Sequence, residues 1–505
     1  MKRIQYFSVT FLLLFSIIFS SCTERDPESY VLQGTLENFK GDSLFIQLPV
    51  DGKFFYQVKN IKVPVDSLTG YFKAEITEEV TGYALIPHNK SRSSLRTWIA
   101  PGKTDSVFVD FEKRDAFMAY GDQAEAVNLL NGFERIGYFH AFGGPDEKYQ
   151  KDSVAQNVYD LLMSKIDDEK IEIDALLSDK QIDKGFAEAM KVESEFHWKS
   201  VFASAAYRHY YFKVELKRDS PYNDNWKNLY LNMMENTDFQ APMALSSNYY
   251  RTLASDFLGL YPMLNGNKFE ADTTMSREQQ STAYFMNRFA EIKQKFEGEH
   301  HELMWAYELN FAAIQEQYQR VLIALHDEFI TDFPESSFSP KLTEVVDPVR
   351  SYHMQLERPM SDNIILIENA NEFTDWEQII EPYKGELLYI DMWATWCGPC
   401  KAEFEFKEGL YDFVADKPIK LIYLSSDRDN MDDKWKEMVN FYGLEGVNMR
   451  ISQELFWKIW QEMLGSDIAS IPRYLIVDKE GNLIVDEAAQ PSEGQKLYDQ
   501  LAKYL

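Results

Sequence analysis

A pair of cysteines, Cys397 and Cys400, constrains the fold of this chain more than any other feature of its sequence. The pair follows the apolar segment Leu387–Trp393, which is typical of a buried strand, and precedes a helical pattern that begins near Lys401. A cysteine in the first turn of a helix lies near unpaired backbone N–H groups and the positive end of the helix dipole, and both favour the thiolate. The sequence therefore predicts that Cys397 is the attacking sulfur. Cys400, one turn deeper, is predicted to resolve the mixed disulfide.

The small number of cysteines excludes two other kinds of site. Three cysteines in 505 residues are too few for a disulfide-stapled scaffold or a four-cysteine zinc site. A lone CxxC is also found as half of a structural zinc site, but no suitable His pair lies nearby in the sequence to complete one. The segment His300-His301-Glu302 lacks the second His of a metal-binding HExxH helix, and we interpret it as solvated helix surface. We therefore expect thiol chemistry that uses neither a metal nor a cofactor.

Length and charge narrow the class of protein. A chain of 505 residues exceeds what a single hydrophobic core usually serves, so two to four domains are expected. Its 52 basic and 81 acidic residues give a formal net charge of -29, which repels nucleic-acid phosphates. The net charge therefore disfavours nucleic-acid binding, and no nucleic-acid partner is expected.

The first residues have the pattern of a secretion signal. Two basic residues precede an apolar run from Val9 to Phe19, which is shorter than the roughly 20 residues that a membrane-spanning helix needs. The run ends in Phe19-Ser20-Ser21-Cys22, which resembles the lipobox of bacterial lipoproteins with Phe in place of the usual Leu. This resemblance implies a signal peptide at 1–21, a linker at 22–29 and a lipidated Cys22. The mature protein is then expected on the periplasmic face or outer surface of the cell envelope of a Gram-negative bacterium.

The rest of the chain divides into three predicted domains. Short runs rich in Val, Ile, Phe and Tyr predict an antiparallel β-sandwich-like domain over 30–118. It resembles the small β-sandwich domain that precedes thioredoxin domains in such lipoproteins. Long helical periods predict an all-α domain over 119–350, in which Ile314–Phe329 is one example, and 351–363 is the predicted linker. Many aromatic residues in the helical region are expected to pack in its core.

Strand and helix signals alternate over 364–505 and predict an α/β sheet covered by helices. The predicted strands are Ile364–Ile367, Leu387–Trp393, Lys420–Ser425, Tyr474–Val477 and Leu483–Val485, and the predicted helices are Lys401–Val414, Asp432–Tyr442, Glu454–Leu464 and Glu493–Tyr504.

The segment Leu388–Lys401, with the sequence LYIDMWATWCGPCK, closely resembles thioredoxin. The longer span Ile364–Leu505 resembles the lipoprotein and membrane-tethered thioredoxins of the TlpA and ResA class. This resemblance implies a thioredoxin fold and thiol-disulfide oxidoreductase activity. The Gly398-Pro399 dipeptide resembles that of reducing relatives. The implied partners are disulfide-containing substrate proteins, an upstream membrane electron donor and, through the lipid anchor, the membrane.

The same resemblance assigns roles to residues around the cysteines. Asp391 matches the buried acid of thioredoxin that relays a proton to or from the inner cysteine, and Glu403 matches the position of the acid in ResA-type relatives. Pro472 matches the cis-proline, and Ile471 before it is then expected to offer its backbone to an extended substrate. Trp396 is expected to lie exposed beside Cys397.

One position departs from the family pattern. Many relatives have a proline where this chain has Glu405, so the kink that the proline gives the active-site helix is expected to be absent.

Two other functions compete with a reductase. A peroxiredoxin needs Thr or Ser three residues before the reactive cysteine and Pro four residues earlier, where this chain has Ala394 and Ile390. The second alternative is a surface or periplasmic protein whose N-terminal domains bind a protein or glycan, with an accessory thioredoxin domain. No motif in the sequence before the thioredoxin-like span indicates a particular ligand.

Overall fold

The computed structural model describes two compact units. The described residues are 29–55, 59–77, 80–87, 94–113, 117–133, 135, 149, 151–267, 270, 272, 274–315, 318–465 and 469–505. Of these, the residues up to 269 and those of 291–304 form the first unit, and those of 270–290 and 305–505 form the second. The predicted signal peptide and Cys22 lie outside the described residues. The domain boundaries remain predictions.

Two four-stranded sheets carry the core of the first unit. Strands such as Tyr71–Ile76 alternate buried and exposed residues, because successive side chains point to opposite faces. The strands are β1 (Tyr30–Glu37), β2 (Ser43–Gln47), β3 (Asn60–Pro64), β4 (Tyr71–Ile76), β5 (Gly82–Ile86), β6 (Leu95–Ile99), β7 (Thr104–Asp110) and β8 (Phe117–Gly121). The strand orders are β4-β1-β7-β8 and β3-β2-β5-β6, and the buried side chains of both sheets form one cluster.

Strand pairing in the first unit corrects one expectation. β1 and β7 run parallel, with Val31 opposite Thr104, whereas antiparallel pairing was predicted throughout. The reason is topological: β5 and β6 belong to the other sheet, so the chain leaves the first sheet after β4 and re-enters it in the direction of β1.

Helices complete the first unit. They are α1 (Ala124–Gly132), α2 (Ala155–Ser178), α3 (Lys184–Tyr210), α4 (Asp224–Glu235), α5 (Tyr250–Leu258) and α6 (Leu260–Leu264). The Asp183 side chain caps α3 by accepting a hydrogen bond from the amide of Phe186. The Phe186 ring then stacks on Trp98 of β6 with 5.2 Å between the ring centroids. The helix α3 therefore packs on the sheets through an aromatic contact, in addition to the helix-to-helix packing that was predicted for this aromatic-rich region.

Two further helices are α7 (Arg277–Lys295) and α8 (Gly298–Ile314). Each has some residues in the first unit and some in the second. Helix α8 ends at Ile314 and the next helix begins at Val321, so the helical period predicted across Ile314–Phe329 is interrupted. None of the described helices is long and apolar enough to cross a lipid bilayer.

The second unit is built on a six-stranded mixed sheet with the order β14-β13-β10-β11-β12-β9. Its strands are β9 (Ile364–Ile367), β10 (Leu387–Trp393), β11 (Ile419–Ser425), β12 (Gly446–Arg450), β13 (Arg473–Val477) and β14 (Leu483–Val485). Its helices are α9 (Val321–Asp332), α10 (Ser339–Leu356), α11 (Glu377–Ile380), α12 (Gly398–Glu403), α13 (Lys407–Val414), α14 (Asp432–Tyr442), α15 (Gln453–Lys458) and α16 (Gln495–Ala502). The predicted α/β sheet covered by helices is thus present.

The central strand β10 is buried along its whole length because helices cover both faces of the sheet. Leu387, Tyr389 and Trp393 belong to the buried cluster on one face, which also contains both cysteines. Leu388 and Ile390 belong to the cluster on the other face. The side-chain period of two therefore points alternate residues of β10 toward the cysteines.

Several features of the second unit differ from the sequence-based predictions. The predicted helix Glu454–Leu464 is divided into α15 (Gln453–Lys458) and a π-helix at Ile459–Met463. Strand β12 was not predicted. The predicted helix Lys401–Val414 is divided by a 3-10 turn at Phe404–Phe406 into α12 and α13. Helix α10 continues to Leu356, so helical structure extends into the predicted linker 351–363.

Candidate active site

The candidate active site lies at one edge of the sheet of the second unit. β10 and β11 run parallel, so the segments that follow Trp393 and Ser425 leave the sheet at the same edge. β13 runs antiparallel to β10, with Arg473 opposite Met392, so the residue before Arg473 enters the sheet at that edge too. Ligand and active sites in open α/β sheets are usually found at the carboxyl ends of the parallel strands.

Cys397 and Cys400 form a disulfide at this edge, with 5.3 Å between their Cα atoms. Cys397 is the N-cap residue of α12, and its Sγ accepts a hydrogen bond from the backbone N–H of Cys400 at 3.1 Å. A helix start leaves several backbone N–H groups without a partner in the helix, and here a sulfur accepts from one of them. The arrangement stabilises negative charge on the Cys397 sulfur once the disulfide is reduced.

The surroundings of the disulfide are open on one side. Trp396 is 62% exposed, as the sequence predicts, and Gly398 and Pro399 are also exposed. Both cysteines are themselves buried, Cys400 more completely than Cys397. Cys397 is thus the cysteine nearer to solvent.

Asp391 lies beneath the site on β10. Its side chain points to the face of the sheet that carries Tyr389 and Trp393, and these two residues belong to the cluster that contains Cys400. The residue is only 4% exposed, and its Oδ1 has no hydrogen-bond partner within the described part of the chain. Burial, and secondarily the negative charge of Glu403, raise the pKa of the Asp391 carboxyl well above its ordinary value. A carboxyl group in this state holds a proton to higher pH than an exposed aspartate does.

Glu403 is the last residue of α12, and it shares a cavity with Asp391. This cavity lies between the active-site helices and the sheet, and its lining includes Asp391, Glu403, Phe404, Tyr423 and Pro491. The two acids suggested by the family resemblance therefore line the same cavity. The sequence alone presented them as two separate candidates.

The segment before β13 carries the other residues implied by the resemblance. The Ile471–Pro472 peptide bond is cis. Ile471 is partly buried and packs against the apolar clusters on both faces of the sheet. Because Arg473 lies opposite Met392, Pro472 is placed beside the end of β10 from which the Cys397 loop leaves.

The active-site helix is interrupted although it lacks the proline of its relatives. Glu405 occupies that position, and a 3-10 turn at Phe404–Phe406 nevertheless separates α12 from α13. The buried ring of Phe404 makes edge contacts with Trp393 at 5.3 Å and tilted contacts with Tyr442 at 5.1 Å. We attribute the interruption to this anchoring, which corrects the expectation of a continuous helix.

Sequence reasoning missed a buried acid next to the site. Asp427 follows β11, is 1% exposed and accepts hydrogen bonds from both Thr395 and Ser425. A signal was present in the sequence, because the polar run Ser425-Ser426-Asp427 stands at the end of the apolar strand that comes next in the chain after the cysteine-bearing strand.

The segment His300-His301-Glu302 shows no arrangement of metal ligands among the described residues. His300 is buried, which corrects the expectation of a solvated helix surface at this residue. Its Nδ1 atom lies 3.0 Å from the Tyr250 hydroxyl, and Glu302 lies 3.5 Å from the Lys53 ammonium group.

Comparison with known proteins agrees with this geometry. Residues 377–501 match the Redoxin family. The thiol-disulfide oxidoreductases ResA of Bacillus thuringiensis (strain Al Hakam) and Bacillus anthracis are each 28% identical to this chain over 127 residues, which is 25% of this chain and 65% of the relative. The chain thus spans slightly less than two thirds of the length of these relatives. The predicted resemblance of the span Ile364–Leu505 to ResA is confirmed, and this C-terminal region has a thioredoxin-like fold.

Two solved structures are similar to the same region. The thioredoxin domain of a thiol-disulfide oxidoreductase from Bacteroides vulgatus is 24% identical, covers 25% of this chain and 83% of its own, and has a TM-score of 0.20. A thiol:disulfide interchange protein from Bacteroides sp. is 25% identical, covers 25% of this chain and 76% of its own, and has a TM-score of 0.21.

Proposed function

We propose that this protein is a membrane-anchored thiol-disulfide oxidoreductase that reduces disulfide bonds of extracytoplasmic proteins. The observation that carries the proposal is the Cys397–Cys400 disulfide at the start of α12, with the buried Asp391 beneath it. The similarity of residues 377–501 to redoxins supports the same chemistry.

The reaction begins with both cysteines reduced. The Cys397 thiolate attacks one sulfur of the substrate disulfide, which forms a mixed disulfide and expels the other substrate sulfur as a thiolate that takes up a proton. Cys400 then loses its proton and attacks the Sγ of Cys397, which releases the second substrate sulfur. The substrate gains two electrons and two protons, and the protein is left with the disulfide seen in this structure. An upstream membrane electron donor with a dithiol returns the pair to the reduced state.

Asp391 is the proposed base for the second step. Cys400 is fully buried, so its proton has no direct path to bulk water. Asp391 faces the same side of the sheet, and its raised pKa brings it toward the range in which it accepts a proton from a thiol. Pro472 and Ile471 are proposed to hold the substrate backbone beside Cys397.

Anchoring and architecture are parts of the same proposal. A lipidated Cys22 attaches the protein to the cell envelope without a spanning helix, since each buried CH2 of an acyl chain contributes about 0.8 kcal/mol. The proposed order is a β-sandwich-like domain, a helical domain and a thioredoxin domain. Replacement of Cys22→Ser should release the protein from the membrane fraction and abolish its labelling by radioactive palmitate. Continued sedimentation with membranes would contradict the lipid anchor.

A trapping experiment tests the enzymatic proposal. The Cys400→Ser variant cannot resolve a mixed disulfide, so extracytoplasmic substrates should remain bound to Cys397 and be released by dithiothreitol. The matched control is Cys397→Ser, which lacks the attacking sulfur and should trap nothing. A defined set of dithiothreitol-sensitive partners supports the reductase. Equal capture by both variants, insensitive to dithiothreitol, would instead favour the alternative of a surface or periplasmic protein that binds a protein or glycan.

A further inference from the structure

The acid Asp427 lies where it can act on the loop that carries Cys397. Trp393, the last residue of β10, is in register with Ser425, the last residue of the parallel neighbour β11. The residues that follow the two strands therefore leave the sheet side by side. Thr395 follows β10 and Asp427 follows β11, so a contact between them joins the two loops at the active-site edge.

Two hydrogen bonds join Thr395 and Asp427. The backbone N–H of Thr395 donates to Oδ2 of Asp427 at 2.8 Å, and the Thr395 hydroxyl donates to Oδ1 at 2.8 Å. The Ser425 hydroxyl donates to Oδ2 at 2.8 Å and accepts from the backbone N–H of Asp427 at 3.1 Å. Thr395 and Asp427 are each only 1% exposed, so these hydrogen bonds are shielded from water and a buried group that loses its partner is destabilising.

Thr395 is also a central residue of the turn that leads to Cys397. The backbone N–H of Cys397 donates to the carbonyl oxygen of Ala394 at 3.0 Å, which closes a four-residue turn with Thr395 and Trp396 at its centre. Holding Thr395 at both its amide and its hydroxyl thus fixes the first half of the turn. The second half places Trp396 in solvent and Cys397 at the N-cap of α12.

We infer that Asp427 is a positioning residue that fixes this turn through Thr395 and so holds Cys397 in its reactive geometry. The inference rests on the proposed function for its catalytic consequence. Asp427 does not touch the sulfur atoms and acts only through the turn. A small displacement of a reacting group lowers rates strongly, because the attacking sulfur must approach the substrate disulfide in one alignment.

The test compares two variants of Asp427 that lose the same charge but differ in whether they can still accept a hydrogen bond from Thr395. Asp427→Asn and Asp427→Ala both remove the carboxylate, but the Asn oxygen can still accept from the Thr395 amide and the Ala side chain cannot. We expect Asp427→Ala to reduce insulin disulfides about tenfold more slowly than Asp427→Asn. In the reduced proteins, the pH midpoint for alkylation of Cys397 by iodoacetamide should be higher in Asp427→Ala than in Asp427→Asn. Equal rates and equal midpoints for the two variants would overturn the inference.

Thr395 provides the second pair of variants should Asp427→Ala fail to fold. Thr395→Val removes only the hydroxyl at nearly constant volume, and Thr395→Ser keeps it. We expect Thr395→Val to be slower than wild type and Thr395→Ser to match it. Adding Thr395→Val to Asp427→Ala should cost nothing further, since Asp427→Ala has already removed the hydrogen bond of the Thr395 hydroxyl. An additive loss in the double variant, or a Thr395→Ser variant as slow as Thr395→Val, would contradict the inference.

Asp105 supplies a control for the general effect of losing a buried acceptor. It is a fully buried acid of the first unit that accepts hydrogen bonds from Tyr30 and Gln123. Asp105→Ala should lower the melting temperature without changing the alkylation of Cys397. The alkylation readout needs no substrate. If the wild type fails to reduce insulin, the proposed function fails, while the alkylation of the Asp427 variants still decides whether Asp427 positions Cys397.

Discussion

The carboxylate of Glu403 accepts two hydrogen bonds from Ser492, one from its backbone N–H and one from its hydroxyl, each at 2.9 Å. Glu403 ends the active-site helix α12, and Ser492 lies in a 3-10 turn before α16. The contact therefore ties the active-site helix to the C-terminal turn, whose Pro491 lines the same cavity as Asp391. It also holds a negative charge close enough to Asp391 to raise the pKa of that buried carboxyl.

Neutralising Glu403 should lower the pKa of Asp391. Glu403 disfavours the ionised form of Asp391 by charge repulsion, so Glu403→Gln should let Asp391 ionise at lower pH, although burial still keeps its pKa raised. Attack by Cys400, the step that requires ionised Asp391, should then retain its rate at lower pH than in the wild type. The measurement is the second release of thionitrobenzoate from a reduced protein mixed with Ellman's reagent, which reports attack by Cys400. Glu405→Gln, in the 3-10 turn that follows α12, is the matched control. If the rate of the second release falls at the same low pH in both variants, the result counts against the coupling.

The role of Asp391 is tested by Asp391→Asn, which keeps the shape and removes titration. We expect attack by Cys400 to slow by about 10²- to 10⁴-fold, the usual contribution of a general base, while attack by Cys397 changes less. Both phases are resolved in the same stopped-flow trace. If the second phase keeps the wild-type rate at every pH, Asp391 is an ordinary strand residue and Glu403 becomes the candidate base.

The same substitution should change stability in a pH-dependent way. The folded pKa of Asp391 lies above the unfolded value of about 3.9, so its ionisation penalises the folded state as pH rises from that value to the folded pKa. Asp391→Asn should therefore raise the denaturation midpoint at pH 7 and leave it nearly unchanged below pH 4. Each unit of pKa shift corresponds to about 1.4 kcal/mol. A gain of equal size at both pH values would point to a cause other than ionisation.

Much of the second unit could be predicted from the sequence because its signals are local. The strands Leu387–Trp393 and Ile364–Ile367 and the helix Asp432–Tyr442 have the predicted bounds, since each is an apolar or amphipathic run flanked by polar residues. The cysteine pair and the cis-proline position follow from one short segment each. These features need no knowledge of how distant parts of the chain meet.

The features that were missed depend on tertiary contacts. Strand β12 contains Asn448 and Arg450, polar residues that are buried because the Asn448 amide donates to the Leu444 carbonyl and Arg450 pairs with Asp429. One of the two strands that pair with β12 is β9, which is distant from it in the sequence. Likewise, the hydrogen bond from Thr395 to Asp427 becomes visible only when two parallel strands are in register.

Selective alkylation should separate the two cysteines. Cys397 is the N-cap of a helix next to the exposed Trp396, whereas Cys400 is fully buried behind it. In a reduced Cys22→Ser protein at mildly acidic pH, iodoacetamide should therefore label Cys397 well before Cys400, as peptide mass spectrometry would show. A Cys397→Ser control reports the intrinsic rate of Cys400. Preferential labelling of Cys400 in the parent protein would reverse the assigned roles.

The packing of helix α10 against α14 gives a final prediction for stability. Tyr352 of α10 is fully buried and stacks on Tyr318 with 4.5 Å between the ring centroids. Its hydroxyl donates to Glu437 at 2.7 Å and accepts from the Lys434 ammonium group at 2.9 Å, and burial raises the pKa of this hydroxyl. The core that contains the cysteines thus includes side chains that precede the predicted thioredoxin boundary.

Tyr352→Phe keeps the ring and removes both hydrogen bonds of the hydroxyl, which leaves two charged groups less well satisfied. We expect the free energy of unfolding of the second unit to fall by about 1–3 kcal/mol. Tyr352→Ala should cost more, about 3–5 kcal/mol, because it also leaves a cavity. The measurement is urea denaturation followed by tryptophan fluorescence. Tyr498→Phe is the matched control, because Tyr498 stacks on Phe413 at 4.7 Å and its hydroxyl forms no hydrogen bond in the described part of the chain. If Tyr352→Phe is as stable as this control and only Tyr352→Ala unfolds more easily, the helix is held by apolar packing alone and the buried polar contact contributes nothing.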